Sequence, residues 1–514
     1  MWGVEDRRHS FVLRRVQGAE KQRQLIVPPR QFLGELQDAG ELVRISAEVE
    51  STLEIAGITH RVCQSSGSTP ALFFERVAGS PYPVVTNLLG SESRISKALG
   101  VASLDELSSR ISGLLRPEIP TGLIDKLRLL PQLSQISKLP PRTVRSGACQ
   151  QVVRLGRDVD LREFPFLQSW PLETSRSLTQ TQVFTKHPES EQRDISRTAL
   201  VVKDATTCRL PWSVHDIGTR NFHAYRRQGL RMPVAVALGG DPACVFTAAT
   251  PFPAGIDPCL VAGFFRGQPL ELVKCRSIDL EVPTGAEIVF EGYIDPAEPW
   301  EPVGTQGVAS GFYSVDALAP LFHVTAITQR ANPVVPTNIV GRTSNEDAWI
   351  AKATERILLP LLSLMLPEVV DVGLPRCGSR NVLFVSIRKQ YPLQARKVMA
   401  TLWGLAPSLF AKILVVVDEE VNVHVPEDVW FHVAANVHPG RDVQIHDGPG
   451  AVWDHSAPIA GMGRAIGFDA TRKSAGEGHP RDWPGELLPS KAVQDLLDSR
   501  WSEYGLGGQT PATY

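Results

Sequence analysis

Apolar residues in the N-terminal fifth of the chain alternate between helical spacing and short strand-like runs. The helical spacing predicts helices over 29–36, 52–62, 95–99 and 104–115, and the short runs predict strands at 42–45, 71–74 and 84–86. Helices and strands mixed in this order are typical of an α+β domain.

Short strands dominate the middle of the chain. Apolar runs bounded by Gly and Pro predict strands at 151–155, 178–185, 198–202, 234–238 and 324–328, and such a set is typical of a barrel or sandwich core. Between them, alternation from Leu270, a turn at Pro283-Thr284-Gly285 and an apolar return at 288–290 predict a β-hairpin. An irregular loop follows as far as Tyr313, and loops on rigid sheets commonly carry functional residues.

The C-terminal third has the pattern of an α/β domain. Helical spacing at 348–366 and 393–405, with apolar runs at 382–387 and 413–417, predicts a βαβ unit with partly parallel strands. Residues 492–504 form an amphipathic helix pattern that places Val493, Leu496, Leu497 and Trp501 on one side. A docking element and a helix packed on its own chain both fit this pattern.

Composition narrows the functional classes. The formal net charge of the 514 residues is −2, which offers no electrostatic attraction for nucleic acid or an anionic membrane. The sequence contains neither a run long enough to span a bilayer nor a secretory leader. The seven cysteines are scattered, which indicates reduced thiols in a cytoplasmic protein. Residues 1–26 are predicted to be a mobile extension and 117–148 a surface connection.

The residues alone leave the chemistry open. The sequence lacks the common nucleotide-binding, zincin and hydrolase motifs. His215, between Trp212 and Asp216, can be a metal or cofactor ligand or a structural histidine. Glu287 and Glu291 can be an acid/base pair, or they can be edge or ion-paired residues of a strand.

Ten segments in order carry a family resemblance. They are LVRISAEVESTLEIAGITHRV (42–62), PVVTNLLGS (83–91), MPVAVALGGDPA (232–243), AGFFRGQPLELVKC (262–275), DLEVPTGAEIVFEGYI (279–294), VTAITQR (324–330), VSIRKQYPLQARKVM (385–399), ILVVVDEEVNV (413–423), HPGRDV (438–443) and APIAGMGRAIGFDATRK (457–473). With these segments the chain resembles the UbiD family of reversible decarboxylases, over nearly everything from about residue 29 to 506.

The resemblance implies an α+β architecture. It comprises a small N-terminal α/β part (27–148), a split β-barrel flavin-binding domain (149–332), a C-terminal α/β oligomerisation domain (333–475) and a tail with the docking helix (476–514). It further implies prenylated FMN or FMN with Mn or Mg and K as cofactors, a small-molecule carboxylic acid as substrate, a flavin prenyltransferase as cofactor supplier, and a homodimer or larger homo-oligomer.

Site residues follow from the resemblance one position at a time. His215 falls on the family's metal-binding histidine. Counting back from it places Gln192 and Arg197 at the family's Asn and Arg positions, whereas counting from the preceding TKHP loop places Asp194 and Ala199 there. The two counts differ by two residues, which keeps the same face of a predicted strand. Arg197 is therefore the candidate for orienting the substrate carboxylate.

The remaining implied ligands lie further along the chain. Pro258 occupies the position of the family's metal-binding Glu, so Asp257 beside it is the substitute, and the implied metal ligands are His215, Asp194 and Asp257. The implied flavin contacts are His215, Thr250, Pro251, Arg388 and Lys389.

The loop after the predicted hairpin departs from the family. Alignment on Gly311-Phe312-Tyr313 places Val303 and Val308 at the family's two acid/base Glu positions, and Glu301, two residues before Val303, is the candidate catalytic acid in their place. A placed acid contributes about a hundred- to ten-thousand-fold to such a reaction. Three hypotheses follow: a UbiD-type decarboxylase, a flavin enzyme of another reaction class, and an inactive paralogue that acts as a partner subunit.

Overall fold

The computed structural model describes residues 29–65, 69–115, 139–252, 255–314, 317–342, 344–376, 381–405 and 411–504. The predicted mobile extension and most of the predicted connection at 117–148 lie outside these ranges. The chain divides into two compact units, the first up to Leu361 together with Pro449–Gly463, and the second formed by Leu362–Gly448 with the residues from Arg464 onward. None of the helices in the described ranges is long and apolar enough to cross a bilayer.

Among the described residues of the first unit, the helices match the predicted ones and add three more. They are α1 (Pro29–Asp38), α2 (Glu54–Cys63), α3 (Glu92–Ala98), α4 (Leu104–Leu115), α5 (Ile217–Gln228), α6 (Pro242–Ala249), α7 (Pro258–Arg266) and α8 (Asn345–Met365), of which α8 continues past Leu361. Asp241 and Asp257 cap α6 and α7, each followed by a proline at the first helical position. Before α6 the backbone turns at Gly239 and Gly240, whose φ angles are +66° and +95°.

The described residues of the first unit form twenty strands. They are β1 (Leu42–Val49), β2 (Ala71–Val77), β3 (Val84–Thr86), β4 (Arg142–Val144), β5 (Val152–Leu155), β6 (Ser177–Leu178), β7 (Thr181–Lys186), β8 (Arg193–Ser196), β9 (Leu200–Val202), β10 (Thr207–Arg209), β11 (Met232–Leu238), β12 (Glu271–Lys274), β13 (Glu281–Pro283), β14 (Ile288–Ile294), β15 (Glu301–Pro302), β16 (Gln306–Gly307), β17 (Tyr313–Ser314), β18 (Leu318–Ala319), β19 (Leu321–Gln329) and β20 (Val335–Pro336).

A curled nine-stranded sheet is the centre of this unit. Its order is β6-β9-β10-β19-β14-β11-β7-β8, and β5 also pairs with β19. Alternate residues of β11 enter two different cores: Val234 and Val236 pack with Phe290 on one face, whereas Ala235 and Ala237 pack on the other. The predicted split-barrel domain is confirmed as this half-barrel sheet. A separate sheet of order β1-β2-β3-β20 carries the N-terminal α/β part.

The predicted hairpin is wrong in its pairing. β12 pairs with β13 in a small sheet that also contains β4, and the reversal lies at 275–280. The turn at Pro283-Thr284-Gly285 instead carries the chain into the large sheet, where β14 lies between β11 and β19. Apolar alternation identified each strand correctly, but it cannot distinguish a neighbour in sequence from a neighbour in the sheet.

The second unit contains the predicted βαβ alternation. Its elements are β21 (Val369–Gly373), β22 (Val382–Ile387), α9 (Gln394–Gly404), β23 (Ile413–Asp418), α10 (Pro426–Asn436), β24 (Val443–Pro449), β25 (Met462–Asp469) and α11 (Lys491–Arg500). β22 and β23 pair in parallel across α9, and the sheet order is β21-β22-β23-β25-β24. The terminal helix α11 buries none of its residues, so the self-packed alternative is wrong. Its docking role stays a prediction.

Candidate functional site

Arg197, directly after β8, is held by a carboxylate from α8. Its Nη2 donates to Asp347 Oδ1 at 2.8 Å, and Asp347 Oδ2 accepts a second hydrogen bond, 3.0 Å long, from Asn338 Nδ2. The Arg197 side chain is only 17% exposed, and its Nη1 is buried without a hydrogen-bond partner among the described residues. The structure therefore fixes one side of the guanidinium and leaves two N–H donors on the other side for a ligand.

Glu346, the residue before Asp347, is fully buried. Both of its donors, Leu89 N and Gln180 Nε2, reach Oε1 at 2.9 Å, and Oε2 accepts from no residue in the described ranges. Burial is the main cause that raises the pKa of Glu346 to about 7. Sequence reasoning missed Glu346 and Asp347. The only signal was their place in the first turn of a helix, where acidic residues are common for reasons unrelated to a site.

The three implied metal ligands do not form one group. Asp194 is buried on β8, and burial together with the charge of Asp216 raises its pKa to about 7. His215 lies beside Asp216 after β10, with Nε2 at 3.2 Å from the Gly461 carbonyl oxygen. Asp257 instead caps α7 and lies 3.5 Å from Arg193 Nη1.

Strand geometry explains this separation. Arg193 and Asp194 are consecutive on β8, so their side chains lie on opposite faces of the sheet. Across the described part of the chain, no three His, Cys, Asp or Glu side chains are placed to share a metal ion. The residues present do not fit the implied three-ligand metal site, and Asp216 is the carboxylate that lies near Asp194.

The implied flavin contacts differ in their availability. Thr250 is buried at the end of α6, with Oγ1 at 3.4 Å from Thr354 Oγ1, and Pro251 beside it is half-buried. Arg388, in the second unit, is 64% exposed and pairs with Glu419. Lys389 uses its three N–H donors on Glu477 Oε2, the Arg472 carbonyl oxygen and Thr471 Oγ1. Lys389 therefore has a structural role, whereas the exposed guanidinium of Arg388 is more accessible to a ligand than the Lys389 ammonium.

Glu301 is unsuited to the acid role that was expected of it. Its carboxylate pairs with Lys203 at 2.7 Å and Arg209 at 3.2 Å, and the hydrogen bond from Lys203 lowers its pKa. An ionised, doubly paired carboxylate is a poor proton donor. Val303 is buried against Val201 and Ala319, so its position belongs to a small apolar core.

The loop that carries Val308 is anchored by another carboxylate that sequence reasoning missed. Glu173 is buried and accepts from Gly307 N at 2.9 Å, Ser169 N at 2.6 Å and Trp170 N at 3.1 Å. Gly307 packs so closely on the Trp170 indole that a Cβ there would clash with it. Both Glu173 oxygens are satisfied by backbone, which makes Glu173 a structural residue.

Replacing Glu173 by Ala should destabilise the protein by about 3 kcal/mol, because it leaves three partly buried backbone donors without their shared acceptor. Denaturant unfolding of the full chain measures this loss. The control is Glu163→Ala, which breaks a partly exposed ion pair with Arg154 and should cost less than about 1 kcal/mol. Equal losses in the two variants would contradict the anchoring role.

Glu287 and Glu291 are structural rather than an acid/base pair. Glu287 Oε1 lies 3.1 Å from Arg330 Nε, and Glu291 Oε2 accepts from the backbone N–H groups of Arg276 and Ser277. The ion-paired alternative is thus confirmed for Glu287. The edge alternative is wrong, since β14 is paired on both sides.

Three segments match family models of 3-octaprenyl-4-hydroxybenzoate carboxy-lyase: the N-terminal domain at 33–111, the Rift-related domain at 142–343 and the C-terminal domain at 348–470. An uncharacterized protein of Aquifex aeolicus (strain VF5) is 40% identical over 476 residues, which are 92% of this chain and 98% of that protein.

Solved structures agree. Vanillic acid decarboxylase of Sedimentibacter hydroxybenzoicus in its closed form is 25% identical, with a TM-score of 0.82 over 93% of this chain and 99% of that one. The UbiD-class enzyme HmfF of Pelotomaculum thermopropionicum, solved with FMN, is 28% identical, with a TM-score of 0.73 over 91% and 99% of the two chains. An evolved dimeric HmfF, solved with prFMN, is 27% identical, with a TM-score of 0.72 over 91% and 98%. The chain belongs to the UbiD family of carboxy-lyases.

Proposed function

We propose that the protein removes a carboxyl group from, or adds one to, an aromatic or α,β-unsaturated acid without oxidation, with prenylated FMN or FMN as cofactor. The observation that carries this proposal is the guanidinium of Arg197, whose Nη2 donates to Asp347 while its buried Nη1 has no hydrogen-bond partner among the described residues. A planar guanidinium with one side fixed is suited to a substrate carboxylate.

The cofactor part of the proposal rests on unfilled polar atoms near β7 and β8. Gln180 Oε1, Gln182 Oε1 and Arg197 Nη1 are all buried without hydrogen-bond partners in the described ranges, a pattern that fits a bound polar molecule. The HmfF complexes with FMN and prFMN favour a flavin. When bound, a flavin supplies an electron sink for the carbon that loses carbon dioxide.

In this proposal the chain's own residues hold and orient the acid. Arg197 binds the substrate carboxylate, and Asp347 fixes the rotation of the guanidinium. Because His215, Asp194 and Asp257 do not assemble in the described residues, no step of the proposed reaction is assigned to a metal. We further propose that the protein works in the cytoplasm as a homo-oligomer and receives its flavin from a prenyltransferase.

Co-expression with a flavin prenyltransferase tests the cofactor and the reaction in turn. Absorbance and mass spectra of the purified protein should show a bound flavin. ¹³C-bicarbonate should then exchange into at least one member of a panel of benzoic, hydroxybenzoic and cinnamic acids. A protein without flavin would refute both parts, whereas a flavin-loaded protein without exchange would refute only the reaction.

A second candidate function is a flavin protein of another reaction class or an inactive partner subunit. The buried Val303, in place of a family carboxylate, favours it. Flavin loading without bicarbonate exchange into any acid of the panel would select this candidate.

A further inference from the structure

Two of the buried glutamates described in the first unit, Glu173 and Glu346, differ in how their oxygens are satisfied. Glu173, beside the loop of Val308, accepts hydrogen bonds at both oxygens from the backbone. Glu346, beside Asp347, accepts two hydrogen bonds at Oε1, whereas Oε2 has no partner within the described ranges. Glu291 Oε1 is likewise without a partner in the described ranges, so a free oxygen alone does not mark a functional carboxylate. Glu346 differs from Glu291 in lying next to Asp347, the residue that holds Arg197.

Burial and the charged groups around Glu346 together set the pKa of its carboxyl group. Arg197, directly after β8, and Arg94 from α3 favour the carboxylate, Asp347 on the same helix favours the acid, and burial favours the acid most strongly. The resulting pKa of about 7 lies close to the value that suits a general acid.

The free atoms near Glu346 have complementary chemistry. Glu346 Oε2 and Gln180 Oε1 are unpartnered acceptors, and Arg197 Nη1 is an unpartnered donor, within the part of the chain that the structure describes. The two donors to Glu346 come from Leu89 and Gln180, and both residues line a small pocket. Its other walls are mainly apolar, including Leu88, Val245 and Val334. An apolar body with one carboxylate matches this set.

We propose that Glu346 carries the proton of the carboxy-lyase reaction, in place of the carboxylates that Val303 and Val308 replace; this rests on the proposed function. In the decarboxylation direction the bond between the substrate carbon and its carboxylate breaks, carbon dioxide leaves, and the electron pair stays with the substrate carbon. That carbon takes the proton from Glu346 Oε2, and the carboxylate regains a proton from water. In the opposite direction Glu346 removes the proton.

The test compares Glu346→Gln with wild type in flavin-loaded protein. The amide keeps the acceptor for Leu89 N but cannot release a proton. Decarboxylation should fall about a hundredfold or more, and exchange of the product C–H proton with D₂O should fall equally. The wild-type rate should follow a group with a pKa of about 7 that disappears in the variant. Flavin absorbance and the unfolding midpoint report whether the variant stays loaded and folded.

Two further variants make the test decisive. Glu301→Gln removes the competing loop carboxylate, and loss of D₂O exchange there but not in E346Q would overturn the proposal. Glu346→Asp withdraws the acid by one bond, about 1.5 Å. It should lower D₂O exchange at least tenfold while keeping the pH dependence, and wild-type exchange in E346D would also overturn it. An inactive, flavin-loaded wild type would refute the proposed function together with this inference, whereas an active E346Q would refute this inference alone.

Discussion

Replacing Arg197 by Met should lower kcat/KM for the exchanged acid by about a thousandfold or more, because removing one partner of a buried charge pair costs about 4 kcal/mol. The loss has two sources. The substrate carboxylate loses its donor, and Asp347 Oδ1 loses the guanidinium that donates to it at 2.8 Å. Bicarbonate exchange kinetics of the flavin-loaded variant measure the effect.

Conservative and control variants separate binding geometry from charge. Arg197→Lys keeps the charge but loses the planar fork that reaches Asp347 and a ligand together, so it should lose about a hundredfold. Arg231→Met is the matched control, since it breaks another Arg–Asp pair, that with Asp295, at an arginine side chain 62% exposed. Its kinetics should stay close to wild type. An Arg197→Met protein within tenfold of wild type would refute the role of Arg197.

Local patterns predicted the elements of the fold, whereas pairing depended on distant residues. The helix at 348–366 and the parallel pair β22 and β23 were read correctly, because helical spacing and the βαβ alternation are both local signals. β14 was assigned to the wrong partner because its true neighbours, β11 and β19, are separated from it by long connections. Sequence order alone does not encode such contacts.

The candidate site shows the same difference between local sequence signals and contacts between residues distant in sequence. Arg197 was identified by counting back from His215 in the family pattern, but its partner Asp347 lies 150 residues further along the chain. Glu301 was chosen because it is near Val303 in sequence, and Lys203 and Arg209 turn out to hold it. Asp257 was chosen for its position beside Pro258, and its helix-capping role places it on the other side of β8 from Asp194. The positions of carboxylates along a sequence do not show which of their oxygens receive hydrogen bonds in the fold.

Replacing Lys473 by Met should produce the largest loss of stability in the second unit, about 3–5 kcal/mol. The Lys473 side chain is 1% exposed and its ammonium lies 2.9 Å from Asp469 Oδ1 and 3.7 Å from Asp442 Oδ1. Two carbonyl oxygens, those of Asp469 and Thr471, accept its other N–H groups. Met fills a similar volume without the charge, so the variant leaves the buried carboxylates without their shared cation.

Hydrogen exchange in the full chain can locate this loss. Peptides that cover β23 and β25 should exchange faster by about a hundredfold or more in Lys473→Met, because about 3 kcal/mol of local stability corresponds to that factor. The control is Arg472→Met, the adjacent cation, whose side chain is 53% exposed and pairs with the exposed Glu420. That variant should change exchange by less than about fivefold, since exposed pairs contribute about 1 kcal/mol or less. Removing a buried ammonium bound by two carboxylates must cost more stability than removing a solvated guanidinium. Equal exchange rates in the two variants would therefore show that Lys473 does not stabilise this sheet.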